Sequence, residues 1–124
     1  MAGGRPYDVP LSIGVRPMRD GAALVTVTGE IDIATVASLK AALAPLTADQ
    51  SVRLLVCDLS EVSFFGAAAI SVLLDARAAL IRRDGRLRLV ATERMVIRPL
   101  SLVHLLDVLP VSPDIRAALL DQSP

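Results

Sequence analysis

The chain has 124 residues, enough for one domain whose core needs neither disulfide nor metal. Hydrophobic residues make up 53% but aromatics only 2% (Tyr7, Phe64 and Phe65), so the apolar mass is aliphatic, which argues against a base-stacking platform. Basic and acidic residues balance at 13 each, which disfavours a phosphate backbone as partner; no nucleic acid is expected.

Residues 1–10 hold Gly3, Gly4, Pro6 and Pro10 and read as a flexible N-terminal leader to a domain spanning 11–120. Leu11–Arg16 alternates apolar with small or polar residues and suits a strand open on one face. Arg19-Asp20-Gly21 signals a turn into a second, β-branched strand at Ala23–Thr28. The short gap predicts an antiparallel hairpin. Gly29–Asp32 is expected to break that strand.

Val36, Leu39, Leu43 and Leu46 then recur at helical spacing, predicting a helix over Ala34–Leu46. Asp32 or Thr35 is its candidate cap, and Pro45 is expected to end or bend it. Val52–Asp58 is nearly continuous in apolar character and reads as a central strand buried on both faces. A loop is expected over Ser60–Gly66, then a helix over Ala67–Arg83, with Gly85 as its left-handed cap. Arg86–Val90 reads as a strand. Arg94–Leu102 reads as a short helix despite Pro99. Leu105–Val111 reads as a short strand, and Asp114–Leu120 as a last helix capped by Ser112 or Asp114. Strands alternating with helices after the opening hairpin imply right-handed crossovers and a mostly parallel sheet.

Catalytic inventories are thin. One His (His104) and one Cys (Cys57) provide neither a metal cluster nor a nucleophile with its base, and no phosphate-binding glycine loop occurs. No enzyme, cofactor or metal is expected. Asp58 and Glu61 near a strand end read as capping and solvation. Cys57 reads as a small core residue, with a redox-sensitive thiol as the alternative. The uncharged run Val62–Leu74, 13 residues, is shorter than the ~20 needed to span a bilayer. With no signal-peptide core in the first residues, a cytoplasmic protein without membrane insertion is the expectation.

The Ala67 helix carries two candidate apolar stripes. Ala67, Ile70, Leu74, Ala78 and Ile81 form one; Ala68, Val72, Ala76 and Ala79 form the other. A sheet-packed helix needs one. The second either meets a neighbouring helix or offers a small-residue surface to a partner, and the preceding Phe64-Phe65 pair is a candidate anchor for either the core or that surface.

Three stretches combine into one pattern: Gly29-Glu30-Ile31-Asp32 between strand and helix, Leu55-Val56-Cys57-Asp58-Leu59-Ser60 through Val62-Ser63-Phe64 before the long helix, and Gly85–Val90 after it. This resembles the STAS family of anti-sigma factor antagonists, over about Leu11–Leu119. The resemblance implies a single α/β domain with a mixed, mostly parallel sheet of about five strands and flanking helices. It implies binding to an anti-sigma factor, often of kinase fold, that frees a sigma factor for transcription. It also implies a serine opening the long helix, whose phosphorylation blocks binding through added charge.

At that place the family's Asp-Ser-Ser-Gly-Leu falls on Gly66, Ala67, Ala68, Ala69 and Ile70. Ala68 stands at the phosphoacceptor position and has no hydroxyl; Ser63 and Ser71 are the nearby alternatives. The resemblance thus implies an antagonist without the usual switch, as monomer or weak homodimer. Its partner surface is expected at Asp32, Thr35, Phe65, Gly66, Ala67, Ala68, Ala69 and Val72. The alternative is a structural STAS subunit of a stress-signalling scaffold or lipid-transport complex.

Overall fold

The computed structural model describes residues 11–120; the expected leader lies outside them. The elements are β1 (Ser12–Pro17), β2 (Ala22–Ile31), α1 (Val36–Ala48), β3 (Leu54–Phe65), α2 (Ala67–Ile81), β4 (Arg86–Val90), α3 (Arg94–Leu102), β5 (Val111–Ser112) and α4 (Ile115–Leu120). They form one five-stranded sheet in the order β1-β2-β3-β4-β5. The β1–β2 hairpin is antiparallel, and the pairings of β2 with β3, β3 with β4 and β4 with β5 are parallel. This is the expected single α/β domain and element order.

Strand alternation assigns the two faces. Val25, Val27, Leu55, Cys57, Leu59 and Leu89 join Leu39 and Leu43 of α1, Leu73 and Leu80 of α2, and Val96 and Leu100 of α3 in the main core. The intervening residues Leu24, Leu54, Val56 and Val90 meet Ala118 of α4 on the other face. Neighbouring strands follow in chain order without reversal, so right-handed crossovers set α1 and α2 on one face. Both helices therefore begin at the carboxyl edge of the parallel strands.

Several boundaries differ from the sequence reading. Gly29–Asp32 does not break β2, which runs on to Ile31, and the Ser60–Gly66 loop is absent because β3 runs to Phe65. Two register shifts permit this extension. Between Thr26 and Thr28, and between Gly29 and Glu30, β3 inserts an extra residue opposite β2. Gly29 has φ 116 there, a conformation in which a side chain would be strained. Each bulge restores the alternation, so Ile31 and Phe65 pair facing the core.

Pro45 lies inside α1 rather than at its end. Both Pro45 and Ala41, the residue whose carbonyl loses its intrahelical donor, lie on the exposed side of α1. Gly85 is not the left-handed residue after α2; Asp84 is, with φ 62. Gly85 serves close approach instead. Its N–H donates to the Leu80 carbonyl at 2.8 Å, and a Cβ there would stand 3.0 Å from that oxygen. The strand expected over Leu105–Val111 shrinks to Val111–Ser112, because Leu105–Leu109 closes a tight turn through Leu109 N–H to the Leu105 carbonyl at 2.7 Å. Neither sequence-read stripe of α2 is its core face, which is Ala69, Leu73, Ala76 and Leu80. The all-round apolar composition of α2 hid the phase of its buried side.

Candidate functional site

The carboxyl edge gathers the β2–α1 turn and the β3–α2 junction. Asp32 organises the turn: its Oδ1 accepts the Ala34 N–H at 2.9 Å and the Thr35 N–H at 3.0 Å. In return Thr35 Oγ1 accepts the Asp32 N–H at 3.0 Å and donates to the Glu30 carbonyl at 2.7 Å. Three backbone N–H groups are thus satisfied by two side chains, the reciprocal logic of a capping box. Both residues are half-buried, as structural supports with one side to solvent.

The second loop is held against the first. Gly66 N–H donates to the Ile31 carbonyl at 3.3 Å, and the Gly66 carbonyl accepts from Ala69 and Ile70 at 3.1 and 3.3 Å. Gly66 is the N-cap of α2 and offers no side-chain acceptor; the first turn carries no acidic residue. Of the alanines that follow, Ala67 is exposed, Ala68 half-buried and Ala69 buried. Ala69 therefore belongs to the core. Val72 is half-buried and lines, with Leu43, Ala44 and Ala76, a cleft of about 140 Å³ between α1 and α2.

Phe65, expected on the partner surface, is 3% exposed and packs in the core; it is corrected to a structural residue. Its neighbour Phe64 faces out at 44% exposure, because the second bulge leaves Ser63 unpaired and sets Phe64 opposite the exposed Glu30. Ile33, in the Asp32–Thr35 turn, is 89% exposed. The sequence leaves the Phe64-Phe65 pair open between core and partner surface, because a strand ended at Asp58 gives neither residue a face; it does not mark Ile33, since no signal marks an apolar residue in a turn.

Cys57 is fully buried in the core, and burial pushes its thiol up to about 12. A neutral, enclosed sulfur is a poor nucleophile, so the redox alternative is set aside. Ser63 is exposed at the second bulge and Ser71 is exposed on α2. Asp58 Oδ1 accepts both Ser60 N–H at 3.0 Å and Ser60 Oγ–H at 2.6 Å, fixing the first bulge. His104 sits in the exposed turn after α3 with φ 58. Among the described residues no group of three or more His, Cys, Asp or Glu converges as a metal would need, and no helix is long and apolar enough to cross a membrane.

A two-loop surface of small and apolar groups at the carboxyl edge of such a sheet offers shape rather than reactive chemistry. The STAS domain family model matches residues 16–118. The chain belongs to the STAS domain family. It is 33% identical over 86 residues to the anti-sigma-F factor antagonist RsfB of Mycobacterium tuberculosis, which covers 69% of each chain. An anti-sigma factor antagonist from Mycobacterium paratuberculosis, solved as a crystal structure, superposes with TM-score 0.80 at 32% identity, covering 88% of this chain and 91% of that one. The STAS fold also matches the Bacillus cell fate determinant SpoIIAA in its phosphorylated form, with TM-score 0.68, 14% identity and coverage of 86% and 96%.

Proposed function

We propose that this STAS domain is an anti-sigma factor antagonist that binds an anti-sigma factor and thereby releases a sigma factor for transcription. We further propose that it works without a phospho-switch at the start of α2. The family and its relatives named as antagonists support the first part. One observation carries the second: the first turn of α2 is Ala67-Ala68-Ala69, with no hydroxyl to esterify.

The mechanism is one of surface availability. A phosphate at this helix start would add about −1.5 to −2 charge and be held by the N-terminal N–H groups. A partner complementary to the uncharged form would then have to desolvate that charge. Alanine preserves the small, uncharged shape and removes the site of modification. The partner surface comprises Asp32, Thr35, Gly66, Ala67, Ala68 and Val72, which are exposed or half-buried; Phe65 and Ala69 support it from beneath. The protein acts in the cytoplasm, where its partner works, and binds neither nucleic acid nor lipid in this role.

Titration calorimetry of the purified protein against each anti-sigma factor of its own organism tests this. Saturable one-to-one binding to at least one of them, with release of its sigma factor, is expected. Binding to none overturns the proposal.

A further inference from the structure

A cavity with a basic lining lies at the side of the sheet where β5 is too short to cover β4. Strand β4 runs over Arg86–Val90, but β5 pairs only with Leu89 and Val90. Beside the uncovered stretch is a cavity of about 520 Å³. Arg77 and Ile81 of α2, Arg86, Leu87 and Arg88 of β4, and Val108 of the turn before β5 line it. That volume falls within the ~300–1,000 Å³ of small-molecule sites.

Strand alternation explains how the arginines reach it. Leu87 and Leu89 point into the main core, so Arg86 and Arg88 emerge on the α4 face. Three successive residues of β4 line the cavity although they alternate faces, so it spans the bare edge of the strand. Arg77 and Arg86 are half-buried. Arg88 is 2% exposed, and its guanidinium donates to the Leu87 carbonyl at 3.1 Å. Drawing a guanidinium this far into a fold costs desolvation, which an anion beside it offsets. Three guanidinium groups share the lining with one carboxylate, Asp84, so positive charge exceeds negative by two.

We propose that this cavity binds a small-molecule phosphate with an aliphatic body. A phosphomonoester brings about −1.5 to −2 charge, which matches the excess, and the planar fork of arginine presents paired donors to its oxygens. Ile81, Leu87 and Val108 supply an apolar wall for the rest of the ligand. Among the described residues the lining holds no aromatic side chain, so nothing there stacks on a nucleobase. Arg77 follows Ala68 by nine residues, or ~14 Å along α2 at ~1.5 Å per residue. The cavity is thus separate from the partner surface, and its ligand is independent of the antagonist reading.

Titration calorimetry of the full chain with hexyl phosphate, inorganic phosphate and adenosine monophosphate tests this. Hexyl phosphate should bind one-to-one, about tenfold or more tighter than inorganic phosphate, because its chain leaves water for the apolar wall. Adenosine monophosphate should bind no tighter than inorganic phosphate. Arg77→Gln and Arg86→Gln should each weaken hexyl phosphate about tenfold or more. Ile81→Ser should shrink the preference for hexyl phosphate and leave inorganic phosphate unchanged. Arg94→Gln, at an exposed arginine of α3, should alter no affinity. Thermal melts check that the variants fold; two half-buried arginines on different elements keep the test open if one substitution unfolds the chain. Absence of saturable hexyl phosphate binding, or affinity indifferent to both arginine variants, overturns the proposal. Adenosine monophosphate binding tighter than hexyl phosphate overturns the aliphatic assignment.

Discussion

At Ala68, stability and function are separable. The residue is half-buried in the first turn of a helix that lacks an acidic residue there. Ala68→Glu places a carboxylate at the positive end of the helix dipole, worth about 0.3–1 kcal/mol to the fold. The same charge sits on the proposed partner surface. The variant should therefore melt at the same temperature or higher, yet bind an anti-sigma factor at least about tenfold more weakly. Parallel melting and calorimetry check this, and unchanged affinity would remove Ala68 from the surface. Cys57 makes a second prediction. Burial raises its thiol from 9.0 to about 12, so the unfolded chain releases that proton first as pH climbs. The stability contribution is therefore complete below about pH 9 and is lost between about pH 9 and 12. Between pH 8 and pH 10 the wild type should lose on the order of 1 kcal/mol more than Cys57→Ala, read by urea denaturation.

At the scale of elements, Arg83, in the turn after α2, clasps the end of α1 and the segment that enters β3. Its guanidinium donates to the Thr47 carbonyl, and to the Leu46 and Val52 carbonyls at 3.1 Å each. A cation there meets the negative end of the α1 dipole and satisfies carbonyls that the helix leaves open. Arg83→Met keeps the aliphatic stem and loses all three bonds. It should cost about 2 kcal/mol in denaturant unfolding without altering partner affinity, because the clasp lies at the edge away from the site. Element order, hairpin and parallel pairing were legible in sequence, since they follow from hydrophobic period and turn residues. The two bulges were not. A Gly29-Glu30-Ile31-Asp32 stretch looks like a strand ending, and only pairing with β3 reveals that Gly29 turns a corner inside it. Misplacing that end put Phe65 on the expected partner surface and left Phe64 undecided between core and surface, since a residue's face depends on where its strand stops. The core face of α2 was obscured in a related way: a helix apolar all round has no period to read, and its neighbours decide which side is buried.

For the whole molecule, one topological fact accounts for the candidate site. Chain order equals strand order from β2 to β4, so α1 and α2 share a face and start side by side. The turn after β2 and the first turn of α2 then form one surface, tied by the Gly66 N–H to Ile31 carbonyl bond. Ala67 and Ala68 give the proposed partner surface its small, uncharged shape and no hydroxyl. An antagonist without a phospho-switch stays competent to bind its anti-sigma factor whether or not that partner carries kinase activity. The most direct test incubates the protein with its anti-sigma factor and ATP, then measures phosphate by intact-mass spectrometry and affinity by calorimetry. No added phosphate and an unchanged dissociation constant are expected. Phosphate on Ser63 or Ser71 accompanied by loss of binding would contradict that expectation.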